Sequence, residues 1–351
     1  MKILEIMKTA VEAQVSDVFL IAGRPITFRK NGVLEMYDDR RLMPQDTELL
    51  LDEIYELAER HSVDMLKIRG DDDFSFAVAG LSRFRVSAYK QRNSLSAVIR
   101  VISFETPDYR ALGIPEDLIR LGSLRKGMVL VTGPAGSGKS TTLACIIDQI
   151  NQNQAKHIIT LEDPLEYLHR HKKSIVSQRE INVDTETYLT ALRAALRQSP
   201  DVIQLGEMRD YETIQVAMTA AEAGHLLFST LHTIGAANTI ERIIDVFPAN
   251  QQQQIRVQLS MTLQAVISQQ LIPAVGGGVV PAFEVMIVTP AIRNMIRENK
   301  IPQIGAQLYS SGRPDMLSMD MSLQRLYKEG RITREDALLA AVQPELLEKK
   351  L

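Results

Sequence analysis

Gly133-Pro134-Ala135-Gly136-Ser137-Gly138-Lys139-Ser140 fits the phosphate-binding loop pattern G-x-x-x-x-G-K-[ST] without a mismatch. The apolar run Gly127-Met128-Val129-Leu130-Val131-Thr132 before it predicts a buried strand, and Thr141-Thr142-Leu143-Ala144-Cys145-Ile146-Ile147 after it predicts the first turns of a helix. In a strand–turn–helix unit of this kind, glycines let successive backbone N–H groups turn inward around phosphate oxygens. The helix N-terminus adds its partial positive charge. Residues 133–140 and Thr141 are therefore candidate nucleotide-binding residues. Lys139 is expected at the β- and γ-phosphates, and the Ser140 hydroxyl on a Mg²⁺ ion. A chance Gly/Ser-rich turn would have no reason to carry both flanking elements. The implied ligands are ATP and Mg²⁺; the loop alone does not say what the energy drives.

Working outward, residues from about 118 alternate strands with helices, the mark of a parallel sheet. Strands are expected at Met128–Thr132, His157–Leu161, Ile175–Arg179, Val202–Leu205 and Leu226–Thr230, with helices starting near Lys139, Thr185, Tyr211 and Gly235. Beyond Pro248 the pattern reads as mostly helical, broken at Val275-Gly276-Gly277-Gly278 by a loop or hairpin tip. Thr289-Pro290 and Thr333-Arg334-Glu335-Asp336 read as helix starts. Residues 1–103 form a smaller α+β unit: helices over Ile3–Val11 and Pro44–Arg60, and short strands, with Asn31-Gly32 as a hairpin turn. Residues 104–117, with two prolines and Gly113, are the expected linker, and 118–351 the α/β domain with its helical C-terminal part.

Composition bounds the function. A chain of 351 residues has room for about two domains. With 45% hydrophobic and 24% charged residues it reads as an ordinary globular protein. The net charge of −3 provides no global basic field for nucleic acid or anionic lipid. The single cysteine, Cys145, excludes an intrachain disulfide and a Cys-based zinc site, and reads as a small core residue. No signal-peptide core is expected at the N-terminus, and no uncharged apolar run reaches the ~18 residues of a membrane span. The expected location is cytoplasmic, with membrane attachment only through partners.

Triphosphate hydrolysis needs carboxylates to hold the metal and to orient or deprotonate water. Two acidic clusters stand at strand ends, where the ligand crevice of an open α/β sheet lies. In the first, Leu161-Glu162-Asp163-Pro164-Leu165-Glu166, the proline fixes a turn that would present Glu162, Asp163 and Glu166 to the phosphates. In the second, Asp201–Asp210, an apolar strand ends in Gly206-Glu207. Glu207 would hold Mg²⁺ and Arg209 could pair with a neighbouring acid, while Asp210 reads better as the N-cap of the next helix. Both clusters could instead be solvated loop acids. Gln204, polar within an apolar strand, reads as a satisfied core group. His225 and His232 bracket one strand, and His232 could contact a γ-phosphate or be purely structural.

In this order the elements resemble the secretion-ATPase superfamily, the motors of type II/IV secretion and of type IV pili, and within it the pilus-retraction motors. The residues that carry the likeness are Gly133–Ser140 (Walker A), Thr160–Tyr167 (the acidic box), Gly206–Asp210 (Walker B), Gly224–Thr233 (the His box) and Ala291-Ile292-Arg293-Asn294-Met295-Ile296-Arg297-Glu298, close to a retraction-specific C-terminal motif. The resemblance implies a RecA-like ATPase domain preceded by a PAS-like domain, assembled as a homohexamer. It implies Glu166 as catalytic glutamate, Glu207 as Walker B glutamate and His232 as γ-phosphate contact. Arg85 and Arg100 of the N-terminal domain would reach the nucleotide, unless they are plain surface ion-pair partners. It further implies pilus retraction and twitching motility powered by ATP hydrolysis coupled to domain rotation, through an inner-membrane platform protein and the pilus machinery. The expected place is the cytoplasmic face of the inner membrane. Phe19, Ala135 and Ala223 depart from residues common in the family, and none of these changes removes a phosphate or metal group.

Two other readings are open at this point. A pilus-assembly or type II secretion ATPase shares the engine, but such chains generally have a longer N-terminal region and often a four-cysteine metal site. A RecA-like nucleic-acid motor is disfavoured by the net charge, the absence of tryptophan and only 5% aromatics, which leave no basic–aromatic stripe. No nucleic-acid partner is expected.

Overall fold

In a computed structural model of the chain the described residues are 2–351 apart from 31, 60–62, 103, 105 and 311. They group into two units, Met1–Glu105 with Glu166–Leu168, and Thr106–Leu165 with His169–Leu351.

The first unit contains α1 (Ile3–Glu12), β1 (Asp17–Leu20), β2 (Pro25–Lys30), β3 (Val33–Arg41), α2 (Pro44–Leu57), α3 (Asp64–Arg69), β4 (Asp71–Val78), β5 (Ser82–Gln91) and β6 (Ser94–Ile102). The strands form one sheet in the order β3-β2-β1-β6-β5-β4, antiparallel throughout. Alternation decides which face is covered: Ser82, Phe84, Val86 and Ala88 of β5 point into the core, with Ile3, Ile6, Met7 and Ala10 recurring at helical spacing on α1. In the β2–β3 hairpin Lys30 pairs with Val33. Asn31 of the expected turn, and Arg60 at the expected end of α2, lie outside the described residues.

The second unit opens with α4 (Glu116–Arg120) and continues through β7 (Gly127–Thr132), α5 (Lys139–Asn153), β8 (His157–Glu162), β9 (Ile175–Glu180), α6 (Tyr188–Ala195), β10 (Val202–Leu205), α7 (Tyr211–Ala223), β11 (Leu226–Leu231), α8 (Ala236–Asp245) and α9 (Ala249–Thr262). Then come β12 (Leu263–Pro273), β13 (Val279–Ile287), α10 (Pro290–Arg297), α11 (Ile304–Ser310), α12 (Met319–Lys328), α13 (Arg334–Ala340) and α14 (Pro344–Glu348). The sheet order is β13-β12-β7-β11-β10-β8-β9, parallel except for the β12–β13 pair. β7 and β11 are buried at every position, so they read as continuous apolar runs rather than alternating ones. One face packs Val129, Val131, Ile158 and Phe228 with Ile146 and Ile150 of α5; the other packs Leu130, Ile203 and Leu227 with α7 and α8.

Two expectations need correction. α6 starts at Tyr188 rather than near Thr185, because Thr187 is the N-cap and its hydroxyl accepts from the Thr190 backbone N–H. The region beyond Pro248 is helical over Ala249–Thr262 and again from Pro290, but residues 263–287 between them are a long β-hairpin. β12 is buried on nearly its whole length, so it carries no period-two signal, and Gln264, Gln269 and Gln270 give it a helix-like composition. The expected break falls at the hairpin tip, where Gly276, Gly277 and Gly278 all have positive φ.

No helix among the described residues is long and apolar enough to cross a membrane.

Candidate active site

The glycine loop leaves β7 at Gly133, whose φ of +141° excludes other residues. A Cβ there would stand 2.2 Å from the Gln269 carbonyl oxygen and 2.7 Å from Ser137 Oγ. The loop is thus seated directly on β12. Lys139 Nζ donates to the Gly133 and Pro134 carbonyls, both at 2.9 Å, which holds a buried ammonium inside the turn. Ser137 Oγ is buried without a hydrogen-bond partner. An unpaired hydroxyl in a turn facing a 15-residue helix N-terminus suits a phosphate oxygen.

Gln269 is a site residue that the sequence reading missed. Thr142 Oγ1 donates to its Oε1 at 2.7 Å, both residues being buried, so the side chain ties α5 to β12. Its only signal was a glutamine in a segment that looked helical.

At the end of β10, Glu207 accepts from Arg209 Nε at 2.8 Å on Oε1 and lies 3.5 Å from His232 Nε2 on Oε2. The hydrogen bond to Glu207 raises the Arg209 pKa above its usual value. Glu207, Arg209, His232 and Thr233 line a cavity of about 430 Å³ together with Ile214 and Arg242. The registers of the parallel strands bring Walker B and the His box together: Leu205 pairs with Ser229, and Thr230 Oγ1 donates to the Gly206 carbonyl. The hydroxyl of half-buried Tyr188 keeps its proton more firmly than usual, through burial first and the Glu207 charge second. His225, by contrast, is structural, with Nδ1 donating to the Pro200 carbonyl at 2.9 Å. Asp210 is the N-cap of α7, accepting from Thr213 N at 2.8 Å.

The acidic box divides. Glu162 ends β8 buried, with Gln178 Nε2 at 3.4 Å from its Oε1. Asp163 and Glu166 are exposed, and Glu166 falls in the 166–168 stretch that groups with the first unit. It is not among the residues lining the Glu207–His232 cavity. In the first unit, Arg100 Nε donates to Asp17 at 3.1 Å, and Arg85 stands directly opposite Arg100 in the β5–β6 register. Ser140 is half-buried at the start of α5.

Gln204 is not the satisfied core group expected. Its Oε1 is buried without a partner, as is Thr160 Oγ1 on the paired position of β8. Phe228 on β11 and Val202 on the same strand are apolar, and the Thr160 hydroxyl is the polar group registered beside it, but the two oxygens are not paired. An unpaired buried oxygen costs about 1–3 kcal/mol. Gln204→Met should therefore raise stability by about 1 kcal/mol in a denaturant titration, and a loss of stability would show that the amide has a structural partner.

Cys145 is buried in the α5 core, and burial pushes its thiol up to about 12, which makes it inert. In the C-terminal motif, Ile292 and Ile296 of α10 are fully buried. Off that apolar stripe, the Arg293 guanidinium donates to the Ser260 carbonyl at 2.6 Å and the Met261 carbonyl at 3.1 Å, capping the end of α9.

A family model described as "Type II/IV secretion system protein" matches residues 2–313. The type IV pilus retraction ATPase PilT of Pseudomonas aeruginosa is 44% identical over 345 residues, covering 98% of this chain and 99% of that one. The type IV pilus ATPase PilU of the same organism is 38% identical over 343 residues, covering 97% and 89%. A crystal structure of the pilus retraction motor PilT with bound ADP superposes with a TM-score of 0.89 at 48% identity, covering 99% of both chains.

Proposed function

We propose that this chain, which belongs to the type II/IV secretion system protein family, is an ATP-hydrolysing motor that retracts type IV pili. The observation that carries the reading is end-to-end likeness to the PilT retraction ATPase, at 44% identity against 38% to PilU. The solved retraction motor with bound ADP supports nucleotide binding by this chain.

In this reading Lys139 and the backbone N–H groups of residues 135–141 neutralise and orient the phosphates. Mg²⁺ would be held by the Ser140 hydroxyl and the Glu207 carboxylate, and would screen phosphate charge. The donor set fits: one hydroxyl at the helix start, and a carboxylate fixed by Arg209. His232 donates to the γ-phosphate, Glu166 takes the proton of the attacking water, and Glu162 supports the acidic side of the site. Arg85 and Arg100 supply positive charge as the transition state forms. The working form is a homohexamer at the cytoplasmic face of the inner membrane, acting on the pilus machinery through a platform protein.

Deleting the gene should leave cells that carry surface pili, do not retract them and do not twitch. Cells without pili would overturn retraction in favour of assembly.

A further inference from the structure

We propose that Glu284 is a positioning residue for the nucleotide site: with Ser268 it fixes the loop that carries His232. The proposal rests on His232 being the γ-phosphate contact.

Residues 232–235 run from the end of β11 to the start of α8, and their conformation is set from outside the loop. Gly235 N donates to Ser268 Oγ at 2.9 Å, and Ala236 N donates to Glu284 Oε1 at 2.7 Å. Ser268 and Glu284 face each other in the β12–β13 register, and Ser268 also pairs with Thr132, the residue before the glycine loop. The row Leu231–Thr132–Ser268–Glu284 therefore crosses four strands beneath the loop. Glu284 is 8% exposed, and burial raises its pKa while the backbone N–H groups of Ala236 and Met319 act the other way. A carboxylate placed there costs stability, and it is tolerated because it satisfies the N-termini of both α8 and α12. On the opposite side of the same strand, the next residue, Gln269, braces the glycine loop. The β12–β13 hairpin thus holds the two loops through separate residues: Gln269 serves the glycine loop, and Ser268 with Glu284 serves the loop of His232.

Truncating Glu284 should consequently weaken recognition of the γ-phosphate and leave ADP binding alone. The test is binding of ADP and of a non-hydrolysable ATP analogue to the full chain carrying Glu284→Ala, Glu284→Gln or His232→Ala, with kcat and KM for ATP. Expected is a fall of about tenfold in analogue affinity for Glu284→Ala, with ADP affinity unchanged and kcat reduced. Glu284→Gln should recover part of it, since its one amide oxygen can still accept from Ala236. If Glu284→Ala does not fold, Ser268→Ala removes one bond of the same brace and should shift the same ratio in the same direction. An equal loss of both nucleotides, or a lowered melting temperature with the ratio intact, overturns the proposal. If His232→Ala loses the ratio and Glu284→Ala keeps it, the positioning role alone falls. If both keep it, the assignment of His232 falls and takes the proposal with it.

Discussion

Replacing Lys139 by alanine is expected to abolish ATP turnover, by at least about 10²–10³-fold, with little change in the fold. The side chain is buried and its ammonium donates to two loop carbonyls, Gly133 and Pro134, at 2.9 Å each. Truncation removes a fixed positive charge from a turn whose other groups are neutral dipoles. It also removes the donor that holds those carbonyls away from an incoming anion. The fold should survive because the loop has a second support on β12, at the Gln269 backbone and side chain. Lys139→Arg is not a rescue, since a planar guanidinium cannot take the place of a compact ammonium in so tight a turn. Phosphate release by the purified protein, with a thermal melt beside it, checks this; undiminished turnover in a folded variant overturns the assignment of the loop.

What was legible in the sequence was whatever depends on neighbours in the chain. The glycine loop announces itself because strand, turn and helix are contiguous, and Asp210 and Thr289 because an N-cap acts within three residues. Glu207 and His232 were legible as strand-end residues. Their meeting depends on the parallel register of β10 and β11, which is long-range and was supplied by the family resemblance. The hairpin β12–β13 was missed because burial on both faces removes the alternation by which strands are read. With it went the polar residues that brace the site, Gln269, Ser268 and Glu284, each of which looks like a surface residue of a helix until the strands are drawn. The partners of Arg293 were out of reach for a related reason: the carbonyls it caps belong to α9, more than thirty residues away. Gln204 fails differently. Strand and burial were both foreseen, but pairing of a buried amide depends on neighbours in three strands, which local reading does not reach.

Glu166→Gln should separate binding from chemistry. The two side chains have nearly the same shape, and the carboxylate is exposed, so the substitution carries no packing cost. What it removes is a basic oxygen able to take a proton from water, a contribution worth about 10²–10⁴-fold in rate. ATP affinity is therefore expected to stay near that of the unmodified protein while hydrolysis falls by about that factor. Glu207→Gln makes the useful contrast. Glu207 accepts from Arg209 and faces His232, so neutralising it frees two cationic or donor groups inside the cavity as well as weakening the metal. It should lower nucleotide affinity and turnover together. If Glu166→Gln behaves like Glu207→Gln, with affinity and turnover lost in parallel, Glu166 is a structural member of the acidic box and the base must be sought at Glu162, which already lies buried at the end of β8.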